Sequence, residues 1–149
     1  MILAENKKAL FDYEILEKME AGLVLSGQEV KSAKNKTISL KGAFVTFHGN
    51  DALLTNAHFS AYPQAGPIPQ YDPTRSRRLL LHKKQIAYLR GKSQEKGLTI
   101  VPLMVYIKNH LVKVEIAVAR GRHKYDKREV LKERDLKKEL SRAQKQKNF

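Results

Sequence analysis

Leu98-Thr-Ile-Val-Pro-Leu-Met-Val-Tyr-Ile107 and Leu111-Val-Lys-Val-Glu-Ile-Ala-Val-Ala119, joined by Lys108-Asn109-His110, carry the pattern that decides the fold. In the second run Val112, Val114, Ile116 and Val118 alternate with Lys113, Glu115 and small alanines. That two-residue period belongs to a strand with one buried face. The first run is far shorter than a membrane span and contains Pro102, so it reads as the partner strand of a hairpin. Upstream, Gly97 is placed to end a helix that starts after His82 and runs to about Lys96, with Gly91 weakening it midway.

Preceding that helix is Asp72-Pro-Thr-Arg-Ser-Arg-Arg-Leu-Leu-Leu-His-Lys-Lys84, in which five of the ten residues from Arg75 to Lys84 are Lys or Arg. Leu79, Leu80 and Leu81 are expected to anchor the segment in a core while the flanking cations stay outside, because an unpaired buried charge is costly. Such a basic edge on a rigid body suits a polyanion. Residues 63–74 hold four of the five prolines together with Gly66, which predicts an irregular loop. Ala43–His48 and Ala52–Tyr62 flank Gly49-Asn50-Asp51 and predict a second hairpin.

Nearer the start, Ser26-Gly-Gln-Glu29 has capping-box spacing and predicts a short helix to about Lys34, with Val30 and Ala33 inward and Lys31 and Lys34 outward. Phe11, Tyr13 and Ile15 alternate with Asp12 and Glu14, predicting a strand over 11–18 that resumes after a bend or bulge at Gly22. Residues 1–9 read as short and polar. The resulting expectation is a mainly β (α+β) domain over residues 1–120. It consists of an antiparallel barrel of about six strands, of the oligonucleotide-binding (OB) type, closed or nearly so, with two or three peripheral helices. Residues 121–149 hold 11 Lys or Arg, five acids and a thin stripe of Val130, Leu131, Leu136 and Leu140. They predict a basic tail, disordered alone and helical when bound.

Lys plus Arg number 29 against 15 acids, a formal net charge of +14, so nucleic acid is the expected partner. The absence of cysteine removes disulfides and thiolate-held zinc and fits a reducing, cytoplasmic setting. Met1–Ala4 is too short for a signal sequence. His48, His58, His82, His110 and His123 stand singly, so no metal or cofactor is expected, and no nucleophile elbow or phosphate loop points to an enzyme. Phe44, Phe47, Phe59, Tyr62 and Tyr71 are candidates for stacking on bases, with core packing the plainer reading for the three phenylalanines. In the tail, Tyr125 stands among cations outside any core and favours stacking.

These stretches together resemble the small protein B (SmpB) family. The resemblance rests on Glu5-Asn-Lys-Lys-Ala9, Glu20-Ala-Gly22, Gly27-Gln-Glu-Val-Lys-Ser32, Asp72-Pro-Thr-Arg75, Leu79-Leu-Leu-His-Lys83, Lys96-Gly-Leu-Thr-Ile-Val-Pro-Leu103, Lys113-Val-Glu-Ile116, Ala119-Arg-Gly121 and Tyr125-Asp-Lys-Arg128. The resemblance implies an OB-like barrel and the task of trans-translation. A member of that family binds the tRNA-like end of transfer-messenger RNA (tmRNA, SsrA RNA), supports its charging with alanine and brings it to stalled ribosomes. The tail lies in the empty messenger channel near the decoding centre and its 16S rRNA.

Carried over by motif, Asn6, Glu20 and Leu80 fall at positions implicated in gripping the RNA. Arg75, Arg77, Arg78 and Lys83 are read as phosphate contacts, with Lys7, Lys8, Lys31 and His82 completing the expected RNA-binding set. Lys124, Tyr125, Asp126, Lys127 and Arg128 are the expected ribosome contacts, and a monomer in a 1:1 complex with tmRNA is implied. Gln28 and the pair Arg122-His123 depart from the family pattern. The alternative is a ribosomal or general single-stranded RNA-binding protein on the same barrel.

Overall fold

In the computed structural model, residues 1–61, 71–122, 128, 131–138 and 140 are described. The spine is the expected hairpin. Strands β8 (Leu98–Lys108) and β9 (Leu111–Gly121) pair antiparallel from Leu98 opposite Arg120 to Lys108 opposite Leu111. Asn109 and His110 turn the chain with φ of 52° and 66°, the doubly left-handed pair that matches strand twist in a two-residue hairpin. Pro102 has no N–H to give a ladder, and the register of the hairpin shifts between Pro102 and Met104.

The other strands are β1 (Ile2–Glu5), β2 (Tyr13–Leu23), β3 (Ile38–Ser39), β4 (Phe44–His48), β5 (Asp51–Thr55), β6 (His58–Phe59) and β7 (Arg77–Leu80). Seven form one antiparallel sheet in the order β1-β8-β9-β2-β7-β5-β4, and β3 with β6 forms a small second sheet. The mainly β, α+β class is as expected. The strand number is not: nine strands are present among the described residues, against about six. Nor is the sheet closed. β4 curls back beside β8, but no ladder joins the edge strands β1 and β4. Curling brings the two ends together and buries apolar side chains without completing the hydrogen-bonded ring.

Three helices pack around this sheet: α1 (Lys7–Asp12), α2 (Gly27–Lys34) and α3 (Lys83–Gln94). The strand expected over 11–18 is corrected at its start, where Phe11 and Asp12 belong to α1. Asn6 caps that helix by accepting the Ala9 N–H at 3.1 Å, and Ala9 packs on the outer side of the sheet against Val101, Leu103, Ala117 and Ala119. A cap and an apolar seat outweigh the alternation at Phe11 and Asp12, and the strand takes over at Tyr13. α2 carries the expected capping box: Ser26 N–H donates to Glu29 Oε1 at 2.8 Å and Glu29 N–H to Ser26 Oγ at 3.2 Å.

The main core lies inside the curl and includes Leu3, Leu23, Leu54, Phe59, Leu79, Leu89, Ile100, Val114 and Ile116. Strand β2 runs unbroken through Gly22, and its bulge falls between Ile15 and Glu17 instead. Gly22 is needed for a different reason. It pairs with Leu80, and a Cβ added at Gly22 would lie 3.0 Å from Leu80 Cβ. Of the three leucines expected in the core, Leu79 is buried and Leu81 half-buried, whereas Leu80 is 55% exposed.

Candidate nucleic-acid interface

The structure divides the expected RNA-binding residues into groups. Glu20, Leu80 and His82 meet at one shallow cleft of about 350 Å3, completed by Ala21, Gly22, Leu81, Gln85 and Lys113. Strand geometry explains the meeting. Glu20 sits two residues before Gly22 on β2, Gly22 is flanked by Leu80 of β7 on one side and Lys113 of β9 on the other, and His82 begins α3 where β7 ends. The Gln85 side chain accepts the His82 N–H at 2.9 Å and fixes the helix start. Leu80 lies against Gly22 as an apolar ledge, with a carboxylate, an imidazole, an amide and an ammonium around it.

Glu20 is held by residues that the sequence reading passed over. The Tyr106 hydroxyl donates to Glu20 Oε2, and Lys108 Nζ lies 3.5 Å from the same oxygen. The Tyr106 hydrogen bond, followed by Lys108 and Lys113, holds the Glu20 carboxyl below its ordinary value against a smaller opposing effect of burial. Burial and the Glu20 carboxylate raise the Tyr106 phenol well above its ordinary value, so it stays a donor at neutral pH. Glu115 stands opposite Glu20 in the ladder and has Lys18 Nζ at 3.9 Å. Tyr106 and Lys108 share the alternation of the outer face with Met104, which was the available signal. The overall apolarity of Leu98–Ile107 hid it.

Two expected contacts are buried. Asn6 is 4% exposed, and its side-chain N–H groups donate to Pro102 O at 2.9 Å and Leu40 O at 3.2 Å while its oxygen caps α1. All of its polar capacity at nitrogen is spent inside the protein, beside the proline that interrupts β8. Arg77, expected on the surface, is fully buried. It donates to Glu29 Oε2 at 2.5 Å and to the carbonyls of Ala57, Arg75 and Pro73 at 2.9 Å each, and its guanidinium lies 4.1 Å from the centroid of Phe59. The rule that cations stay outside fails here because Glu29, also fully buried, supplies the countercharge.

Arg75 hydrogen-bonds both oxygens of Glu29 and is partly exposed, so it too is engaged within the protein. The Asp72–Arg77 stretch is thus a staple between α2 and the entry to β7, closed by Tyr71, whose hydroxyl donates to Phe59 O at 2.7 Å. Arg78 remains exposed with Asp51 at 3.4 Å, and Lys7, Lys8, Lys31 and Lys83 are exposed on α1, α2 and α3.

Among the aromatic candidates, Phe59 is buried, Phe47 half-buried and Phe44 exposed. The proline loop through residue 70, Tyr62 and the tail residues Lys124, Tyr125, Asp126 and Lys127 lie outside the described residues. Arg128 and residues 131–138 are helical and exposed, leaving Leu131 and Leu136 uncovered.

An antiparallel, curled β-sheet with peripheral helices, a strong positive charge and a polar cleft around an exposed leucine defines the class: a basic α+β protein with a surface suited to nucleic acid. Within that class the assignment is specific. The SmpB protein family matches residues 3–146, and the chain belongs to it.

The chain is 53% identical over 142 residues to an SsrA-binding protein of Sulfurihydrogenibium sp., covering 95% of this chain and 93% of the relative. It is 49% identical over 144 residues to one of Persephonella marina, covering 97% and 94% respectively. A solved chain from a structure described as "tmRNA-SmpB: a journey to the center of the bacterial ribosome" aligns with a TM-score of 0.69 and 40% identity. That alignment covers 86% of this chain and 93% of the other.

Proposed function

We infer that this chain is the tmRNA-binding protein of trans-translation. It binds the tRNA-like domain of tmRNA, supports its aminoacylation and delivers it to stalled ribosomes. The observation that carries this is the family match across nearly the whole chain, with relatives near 50% identity named SsrA-binding proteins. The structure adds a physical reason for RNA: a cleft in which an apolar ledge, an acceptor and cations lie together. In this reading residues 1–120 grip the RNA through the Glu20, Leu80 and His82 cleft, with Arg78, Lys83, Lys7, Lys8 and Lys31 as phosphate contacts. Residues 121–149 enter the empty messenger channel, where Lys124–Arg128 meet the decoding centre. The protein acts in the cytoplasm as a binding partner, one copy per tmRNA.

The test is the affinity for the tRNA-like domain of tmRNA against ordinary tRNA as competitor, at two salt concentrations. Tight binding that survives both competitor and salt is expected. Binding that tRNA displaces equally, or that collapses with salt as purely electrostatic contacts do, leaves a general RNA-binding protein and overturns the proposal.

A further inference from the structure

The carboxylate of Glu20 is aimed, and aimed from two strands away. Tyr106 stands opposite Lys113 on β9, which stands opposite Gly22 on β2. The Tyr106 and Glu20 side chains therefore meet across two strand spacings, roughly 9.6 Å between their backbones. Lys108, next on the same face of β8, approaches the same oxygen at 3.5 Å. Both donors act on Oε2, and Oε1 has no protein hydrogen bond among the described residues. The cross-strand neighbour of Glu20 is another carboxylate, Glu115, which has Lys18 beside it at 3.9 Å. Glu20 is consequently ionised, tethered by one oxygen and open at the other, on the wall of a cleft whose floor is Leu80 over Gly22.

We propose that Tyr106 and Lys108 are positioning residues that present Glu20 Oε1 to a hydrogen-bond donor of one nucleotide, a base N–H or a ribose 2′-hydroxyl, resting on the Leu80 ledge. The chemistry selects this part of a nucleotide. A free carboxylate oxygen only accepts, so it repels phosphate and takes an N–H or O–H. Lys113 lines the same cleft and supplies the cation for the phosphate, while Glu20 takes the donor group of the nucleotide. The apolar ledge supports either a base face or a sugar. This rests on the reading of the chain as an RNA-binding protein and goes beyond it by naming what is read at the cleft and what does the aiming.

The experiment uses full-length protein and tRNA-like-domain RNA carrying scattered substitutions with inosine, purine riboside or 2′-deoxynucleotides. Bound RNA is separated and the positions that weaken binding are mapped. One position that weakens binding to wild type but not to Glu20→Gln is expected. Base analogues acting there identify a base amino group, and the deoxy analogue identifies the sugar. In parallel, Tyr106→Phe lowers affinity about tenfold in the wild-type background, the scale of one hydrogen bond to a charged group. It has no further effect in the Glu20→Gln background, and it leaves the salt slope and melting temperature unchanged. An equal loss in both backgrounds, a neutral Tyr106→Phe, or no position relieved by Glu20→Gln overturns the proposal while leaving RNA binding in place. Failure of the wild type to bind this RNA overturns both readings.

Discussion

Glu29 and Glu20 are two carboxylates of the same chemistry, the first engaged by three residues and the second by two, in opposite surroundings. Glu29 is fully buried, and Arg75 and Arg77 hydrogen-bond both of its oxygens while the Ser26 N–H caps it from its own helix. Glu20 is exposed, and Tyr106 and Lys108 occupy one oxygen only. At Glu29 nothing is left to bind a ligand, so the cluster ties α2 to β7 and serves the fold. At Glu20 one oxygen remains open on a cleft. The number of engaged lone pairs, together with burial, separates a structural carboxylate from one available to a partner.

The largest expected effect tests that separation directly. Glu29→Ala leaves the buried Arg77 without its countercharge and should cost about 3–5 kcal/mol in urea unfolding, whereas Glu20→Ala leaves the urea midpoint unchanged. A small loss for Glu29→Ala would mean that water or relaxation rescues Arg77 and that the cluster is not a staple.

Acid gives the next contrast. Burial pushes the Glu29 carboxyl up, but hydrogen bonds from Arg75, the Ser26 N–H and Arg77 outweigh it and hold the group below its ordinary value of 4.5. A carboxyl depressed on folding stabilises the protein above its unfolded value, and that contribution is lost as pH falls through the folded value. Wild-type stability should therefore drop as pH falls below about 4.5, and Glu29→Gln should flatten that drop. Glu20→Gln should alter the profile much less, because solvent screens its partners. Equal flattening by the two variants would erase the distinction between the sites.

The smallest effect sharpens the division among the arginines. Arg78→Ala should lower the salt slope of RNA binding by about one phosphate equivalent. Arg77→Ala, assayed below its unfolding temperature, should not change it, because the fully buried side chain reaches no phosphate. A reduced slope for Arg77→Ala would place that guanidinium at the surface in the complex.

Much of this was legible in the sequence. The β8–β9 hairpin, the capping box of α2, the Gly49–Asn50 turn and the helix after His82 follow from periods and turn chemistry that act over a few residues. The family resemblance brought out Glu20 and Leu80, and Leu80 is indeed exposed beside Glu20. The errors arose where a distant partner changed the local balance. Asn6 and the Ala9 seat drew Phe11 and Asp12, the first two residues of the alternating run, into α1. Glu29, 48 residues from Arg77, drew a cation into the core.

Local periodicity, net charge and motif order were thus determined by the sequence alone, because each depends on neighbours along the chain. Tertiary structure alone decided three other matters: the openness of the sheet, the burial of Arg77, and the meeting of Tyr106 with Glu20, 86 residues apart. Each is settled by which strands lie side by side and which charges lose their water, and pairing across the sheet sets both.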